Sequence, residues 1–278
     1  MAHEDASAIQ NREFAWTTTD FTRIKDLIYR HAGISLHDGK QAMVYSRIAR
    51  RLRETGHQSF KDYLEWLERG NDAQEWQEFV NALTTNLTSF FRENHHFIEL
   101  SRLVRESPSR DWKIWCSAAS TGEEPYSIAI TMAEALGLSG RFQIWASDID
   151  TKVLNTASRG VYKLEGLKNL TPDQLRKYFL KGTGHNGGLA RVRPELQKHI
   201  QFFTLNLIEE HWSLREEFDV VFCRNVMIYF DNPTQRQVLG RIHRLMKPQG
   251  TLFVGHAENF SDARALFALR GKTIYEKV

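Results

Sequence analysis

Between residues 17 and 85 the apolar positions recur every three or four residues, the period of amphipathic helices. Phe21, Ile24, Leu27 and Ile28 make one face of a first helix, with Asp20 as candidate cap and Gly33 as its stop. A second helix over about 40–55 carries Tyr45, Ile48, Ala49 and Leu52 on one face, and two more follow near 60–68 and 72–83. From residue 111 the pattern changes. Short apolar runs at 113–116, 142–147, 200–205, 219–223 and 251–255 alternate with helical stretches, predicting a mostly parallel sheet covered on both faces. Val238, Leu239, Ile242, Leu245 and Met246 form an amphipathic helix before the turn KPQG. Residues 266–270 and 273–277 read as a closing antiparallel hairpin. Residues 160–199 interrupt the alternation. They are too glycine-rich for a helix and too long for a simple crossover, which predicts a small inserted antiparallel β-subdomain.

The strand ending at Cys116 runs into a loop of small residues, SAASTGEEP (117–125), and a helix predicted to open at Pro125, where proline loses no hydrogen bond. Such a strand–loop–helix unit lays backbone N–H groups against a ligand at the carboxyl edge of a parallel sheet. Its single glycine makes it neither a dinucleotide fingerprint nor a Walker loop. It suits a nucleoside without a pyrophosphate, for which S-adenosylmethionine is the leading candidate. Asp148, in ASDID (146–150), ends the next strand roughly 20 residues past that loop, where an acid binds a ribose diol. The competing reading makes Asp148 or Asp150 the cap of a helix starting near Thr151, with Asp150 the better cap. Asn225 and Tyr229, in FCRNVMIYF (222–230), emerge at the carboxyl end of a further strand. Upstream, NLTSFFRE (86–93) brings an amide, hydroxyls and Arg92 to where a segment can close over a ligand. About seven strands closed by a terminal hairpin is the class I S-adenosylmethionine-dependent methyltransferase variant of the doubly wound α/β fold. An all-α N-terminal domain precedes it.

Composition narrows the class further. Among 278 residues, 41% are hydrophobic, enough for a core, yet no apolar run approaches the ~20 residues of a membrane span. Residues 1–12 are polar and carry acids, unlike a signal peptide, and residues 1–16 are expected to be a flexible extension. Cys116 and Cys223 make neither a disulfide framework nor a metal quartet, the histidines show no ligand spacing, and no metal is expected. The net charge of +3 is unevenly spread. Arg47, Arg50 and Arg51, with Arg53 at the flank, fall opposite the apolar face of the second helix, with no acid between Lys40 and Arg53. That stripe is either a solvated face or a binding surface.

Taken together, NLTSFFRE (86–93), SAASTGEEPYSIA (117–129), ASDID (146–150), FCRNVMIYF (222–230), MKP (246–248) and GHAENF (255–260) closely resemble the chemotaxis receptor glutamate O-methyltransferases, the CheR family. The resemblance covers about residues 17–277, with Ala257 standing where the family often has serine. It implies a helical receptor-contacting domain over 17–85, a linker over 86–110 that contributes to the cofactor site, and a methyltransferase domain over 111–278. By motif match, Asn86, Thr88, Arg92, Glu123, Asp148, Asn206, Leu207, Arg224 and Asn225 would line the site for S-adenosylmethionine and its product S-adenosylhomocysteine. Arg92 and Tyr229 are the candidate catalytic residues: Arg92 can fork onto a carboxylate, and Tyr229 can orient substrate or meet a sulfonium with its ring.

The implied partner is the cytoplasmic signalling domain of methyl-accepting chemotaxis receptors, whose long acidic bundles the stripe of Arg47, Arg50, Arg51 and Arg53 would complement. Members that tether to a receptor's C-terminal peptide share the G-x-G-x-x-x-G spacing seen at Gly182, Gly184 and Gly188, and strand addition is the expected mode. A monomeric cytoplasmic enzyme is expected, recruited to receptor arrays without inserting into the membrane. The alternative is a nucleic-acid methyltransferase whose basic helix binds phosphates. Against it, the step from Asn225 to Tyr229 lacks the prolines of the Asn/Asp-Pro-Pro-Tyr motif of amino-group methylases. Intact Arg92, Asp148, Asn225 and Tyr229 speak against a non-catalytic binding protein.

Overall fold

Thr17, not Asp20, opens the first helix of the computed structural model, which describes residues 12–70, 72–107, 111–260 and 264–278. The Asp20 N–H donates to the Thr17 hydroxyl at 3.1 Å, and the Asp20 carboxylate accepts the Thr17 N–H at 2.9 Å. Asp20 is thus the third-position half of a capping box. α1 (Thr18–Ala32) stops at Gly33, whose φ of 70° is left-handed as the sequence predicts. α2 (Gln41–Thr55), α3 (Phe60–Glu68) and α4 (Ala73–Leu83) follow within a first compact unit, Met1–Thr85. Ile24, Ile28, Val44, Ile48, Leu52, Leu64 and Phe79 are fully buried in it. The flexible extension expected over 1–16 is corrected at its end. Phe14 and Trp16 pack their rings on Phe60, at centroid distances of 6.3 and 4.6 Å. Residues 1–11 lie outside the described residues.

The basic stripe on α2 is also corrected. Arg51 is buried, its Nε donating to Glu75 Oε1 at 2.9 Å and its Nη2 to Glu75 Oε2. Glu54 takes a further bond from it, and Glu78 lies at 3.5 Å. Arg50 pairs with Glu54 at 2.9 Å and Arg53 with Glu13 at 3.2 Å. Arg47 donates to the carbonyls of Ala82 and Thr84 at the end of α4, where a cation complements the helix dipole. The balancing acids come from Glu13, Glu54 and α4, all outside the acid-free stretch 40–53.

The second unit, Asn86–Val278, carries the sheet. α5 (His95–Glu106) occupies part of what the sequence leaves as a linker, burying Phe97, Leu100 and Val104. Next come β1 (Trp112–Cys116), α6 (Glu123–Leu136), β2 (Phe142–Asp148), α7 (Thr151–Arg159), β3 (Val161–Lys163), α8 (Pro172–Tyr178), β4 (Phe179–Lys181), β5 (Leu189–Val192) and α9 (Pro194–Gln197). β6 (Ile200–Thr204), β7 (Phe218–Cys223), α10 (Asn232–Leu245), β8 (Met246–Val254), β9 (Phe267–Gly271) and β10 (Ile274–Lys277) complete the unit. The large sheet runs β6-β2-β1-β7-β8-β10-β9, parallel from β6 to β8, with β10 antiparallel to both neighbours. This is the predicted methyltransferase arrangement. Successive side chains of β1 serve opposite cores: Ile114 and Cys116 join the layer of α5 and α6, and Trp115 joins that of α10.

The inserted segment forms the expected antiparallel sheet, in the order β3-β5-β4. It is tied to the loop after β1, because the Tyr162 hydroxyl donates to the Thr121 carbonyl at 2.8 Å. Phe90 meets Tyr162 and Phe179 edge-on at 5.0 and 5.8 Å. Its glycines have separate reasons. A Cβ on Gly182 would overlap the Asn186 carbonyl, whereas Gly184 and Gly188 hold left-handed φ values of 55° and 85°.

Candidate cofactor and methyl-transfer site

From β1 the chain moves outward through β2 to β6, then crosses to the other side of β1 with β7. The strand order therefore reverses between β1 and β7, where open α/β sheets bind ligands beyond the carboxyl ends of their strands. The loop 117–122 leaves β1 there, Asp148 ends β2, Asn206 and Leu207 follow β6, and Arg224 and Asn225 follow β7. Tyr229 closes a short 3-10 turn, Met227–Tyr229, and is half-buried. Glu123 begins α6 and accepts from the Thr121 hydroxyl at 2.6 Å; the helix thus starts two residues before the predicted Pro125.

A first cluster joins the loop to Asp148. The buried Asp148 carboxylate accepts the Ser120 N–H at 2.8 Å and the Asp150 N–H at 3.0 Å. Ser120 itself has a left-handed φ of 48°, which this bond holds in place. Burial pushes the Asp148 carboxyl up to about 6, against the lowering effect of those N–H donors. Asp150 is the helix cap, accepting from Lys152 and Val153, and Asn86 donates to its other oxygen at 2.8 Å. Asn86 also accepts the Ser120 hydroxyl at its carbonyl. Thr88 is half-buried in the same segment.

A second cluster centres on Arg224, whose side chain is fully buried. It donates to Glu124 at 2.5 Å and to the Arg92 carbonyl at 2.6 Å, and Glu93 lies at 3.4 Å. Burial pushes the Glu124 carboxyl up against the pull of Arg224. Glu93 would rise with burial too, but Arg224, the Asn225 amide and the His256 N–H together bring it below its usual range. The Arg224 guanidinium is therefore committed within the protein, and the motif match alone does not reveal this. Arg92 keeps its own guanidinium half-exposed, donating to the Leu87 carbonyl at 2.7 Å. Cys116 and Cys223 end adjacent strands, and burial pushes both thiols up, so neither is poised as a thiolate.

The side chains gathered here suit S-adenosylmethionine: an acid for a diol, the amides of Asn86, Asn206 and Asn225, and for a carboxylate Arg92, whose half-exposed guanidinium is held by the Leu87 carbonyl. Residues 86–275 match the family described as CheR methyltransferase, SAM binding domain, and residues 19–84 match CheR methyltransferase, all-alpha domain. The chain belongs to the CheR methyltransferase family. It is 52% identical over 265 residues to the chemotaxis protein methyltransferase of Salmonella typhimurium, covering 95% of this chain and 92% of that protein. Identity to the Klebsiella aerogenes protein of the same name is 52% over 277 residues, covering 99% of this chain and 95% of that one. The chemotaxis protein methyltransferase 2 of Pseudomonas aeruginosa is 50% identical over 268 residues, 95% of each chain. This CheR-family protein is a methyltransferase whose cofactor is S-adenosylmethionine. The nucleic-acid alternative gains no support from these relatives.

Arg47, Arg50, Arg51 and Arg53 belong to the first compact unit, and Gly182, Gly184 and Gly188 belong to the inserted sheet of the second. Among the described residues, no three His, Cys, Asp or Glu side chains are placed to hold a metal, and no helix is long and apolar enough to cross a membrane. Sequence reasoning gave Glu258 no role. It lies in GHAENF (255–260) and reaches the loop after β7.

Proposed function

We propose that this protein transfers the methyl group of S-adenosylmethionine to glutamate carboxylates on the cytoplasmic signalling domain of chemoreceptors. The observation carrying this reading is the convergence of Asp148, Asn206, Asn225 and the segment 86–93 at the strand-order reversal of a CheR-family chain. Bound S-adenosylmethionine supplies an electrophilic sulfonium methyl group. A glutamate carboxylate is already ionised at neutral pH, with a reference pKa of about 4.3, so this chemistry needs no general base. The protein's task is to align the acceptor oxygen and exclude water, because solvation of both charges would hold the reactants back. In this reading Asp148 holds the ribose diol, Arg92 forks onto a carboxylate, and Tyr229 orients the acceptor. Asn86, Thr88, Glu123, Asn206, Leu207, Arg224 and Asn225 form the surrounding wall, Arg224 from behind. The helical unit contacts the receptor, with Arg50 and Arg53 as the exposed cations of the α2 stripe. The protein acts as a cytoplasmic monomer recruited to receptor arrays. Labelled S-adenosylmethionine incubated with receptor-bearing membranes should give base-labile label released as methanol; label that survives base would overturn carboxyl methylation.

Asp148 makes the cofactor step pH-dependent. A diol donating to the carboxylate favours its charged form, so binding lowers a pKa that stands near 6 in the free protein. Affinity for S-adenosylhomocysteine should be flat above about pH 7 and fall about tenfold per pH unit below about 6. The contribution of this group to folding has the opposite sense, present in acid and withdrawn as pH rises through about 6. Calorimetry that finds equal affinity at pH 5 and pH 7.5 would remove Asp148 from the ribose.

The inserted sheet is proposed to hold a receptor's C-terminal peptide by strand addition. β3 and β4 each pair only with β5 among the described residues, leaving two open edges, and Leu180 on β4 is exposed. Such tethering raises local enzyme concentration to the order of millimolar without altering the site. A peptide from the receptor's extreme C-terminus should bind in the absence of cofactor, and Gly184→Val with Gly188→Val should abolish that binding with S-adenosylhomocysteine affinity unchanged. If no tail binds the wild-type chain at micromolar concentration, the tether is wrong.

A further inference from the structure

The loop after β7 is assembled around one buried carboxylate. Glu258 is only 4% exposed, and its two oxygens accept four backbone N–H groups. Oε2 takes those of Asn225, at 2.9 Å, and Gly255; Oε1 takes those of Val226 and Met227, at 2.9 and 2.8 Å. Burial pushes this carboxyl up and the four donors oppose it. Asn225 sits in the left-handed region, with φ 58°, at the head of this turn. Gly255 fits the same design. A Cβ there would overlap the Asn225 Nδ2 atom and come within 2.8 Å of its backbone nitrogen. The segment 255–258 is thus shaped to the backbone of 225–227 from two sides.

We propose that Glu258 is a positioning residue for methyl transfer: its carboxylate fixes the backbone of 225–227, thereby aiming the Asn225 amide and setting Tyr229 at the lip of the site. The proposal rests on the site reading above and adds the residue that builds its β7 wall. Four N–H donors match the lone pairs of a carboxylate. A glutamine offers one acceptor oxygen and turns an NH₂ group toward donors, so Glu258→Gln cannot hold the turn, whereas Glu258→Asp keeps the charge one methylene short.

The test uses the full chain, reading S-adenosylhomocysteine affinity by calorimetry, kcat and KM with receptor membranes, and the urea midpoint. Glu258→Gln should weaken S-adenosylhomocysteine about tenfold and lower kcat about 100-fold, the cost of a misplaced reacting group. KM for receptor should hold, and Glu258→Asp should recover part of both losses. Gly255→Ala, which leaves the carboxylate intact and presses on Asn225, should reproduce the pattern even if Glu258→Gln fails to fold. Wild-type affinity and kcat in either variant, or losses that merely track the unfolded fraction, would overturn the assignment. Failure of the receptor reading is distinguishable: the wild type would then leave receptors unmethylated while the cofactor measurement still reports on Glu258.

Discussion

Arg224→Leu should destabilise the sheet-bearing unit by about 3–5 kcal/mol, the cost of breaking a buried ion pair from one side. The guanidinium has no exposed area and serves Glu124, Glu93 and the Arg92 carbonyl together. Without it, two carboxylates that already repel one another share a dry site, and Glu124 relieves the charge by taking a proton. Arg224→Lys should recover only part of the loss, since an ammonium is a point charge and cannot span three acceptors as the planar fork does. The same variant reaches the cofactor. Releasing the Arg92 carbonyl loosens the segment 86–93, so S-adenosylhomocysteine affinity should fall beyond what the unfolded fraction explains. Urea unfolding checks the first effect, and calorimetry at denaturant-free concentrations checks the second. A variant as stable as wild type would show that Arg224 and Glu124 are not a mutually dependent pair.

What could be read in advance separates cleanly from what could not. The helices α1 to α4 follow a period of 3.6, and the parallel strands of the large sheet stand out as short apolar runs because both their faces are covered, two signals that survive in a single sequence; Asp150 as cap of α7 follows from side-chain chemistry alone. Helix starts were less legible. Thr17 outcompetes Asp20 because the pair forms a reciprocal box, and α6 begins at Glu123 because left-handed Gly122 turns the chain before Pro125 is reached. α5 had its signal in Phe97, Leu100 and Val104, but a segment marked by its chemistry, 86–93, drew the whole stretch into a linker. Long-range polar partners are the real limit. Arg51 finds Glu75 across 24 residues, and Glu258 serves backbone N–H groups more than 30 residues away, which carry no side-chain signature. Asp148 was legible by position, whereas its bond to Ser120 and its elevated pKa were not.

In the helical unit the largest effect should come from Arg51→Met, again about 3–5 kcal/mol, because Glu75, Glu54 and Glu78 all lose their common cation. Glu75→Gln should cost less. It leaves Arg51 with two carboxylates and retains an acceptor for the Tyr63 hydroxyl, which donates to Glu75 at 2.7 Å. Adding salt should change neither variant's deficit much, since the pair is buried, whereas an exposed pair such as Arg50 with Glu54 is screened. This separates folding from receptor contact. Reversing Arg51 to Glu would bury a fourth acid among three and report on the unit's stability. Reversing the exposed Arg50 and Arg53 should instead raise KM for receptor, in a salt-dependent way, at near-constant stability and cofactor affinity. Urea unfolding in low and high salt, run beside receptor kinetics on the same variants, decides between them. If Arg51→Met unfolds at the wild-type midpoint, the four-residue network contributes nothing to the unit's stability, and the buried arginine is held there without net gain.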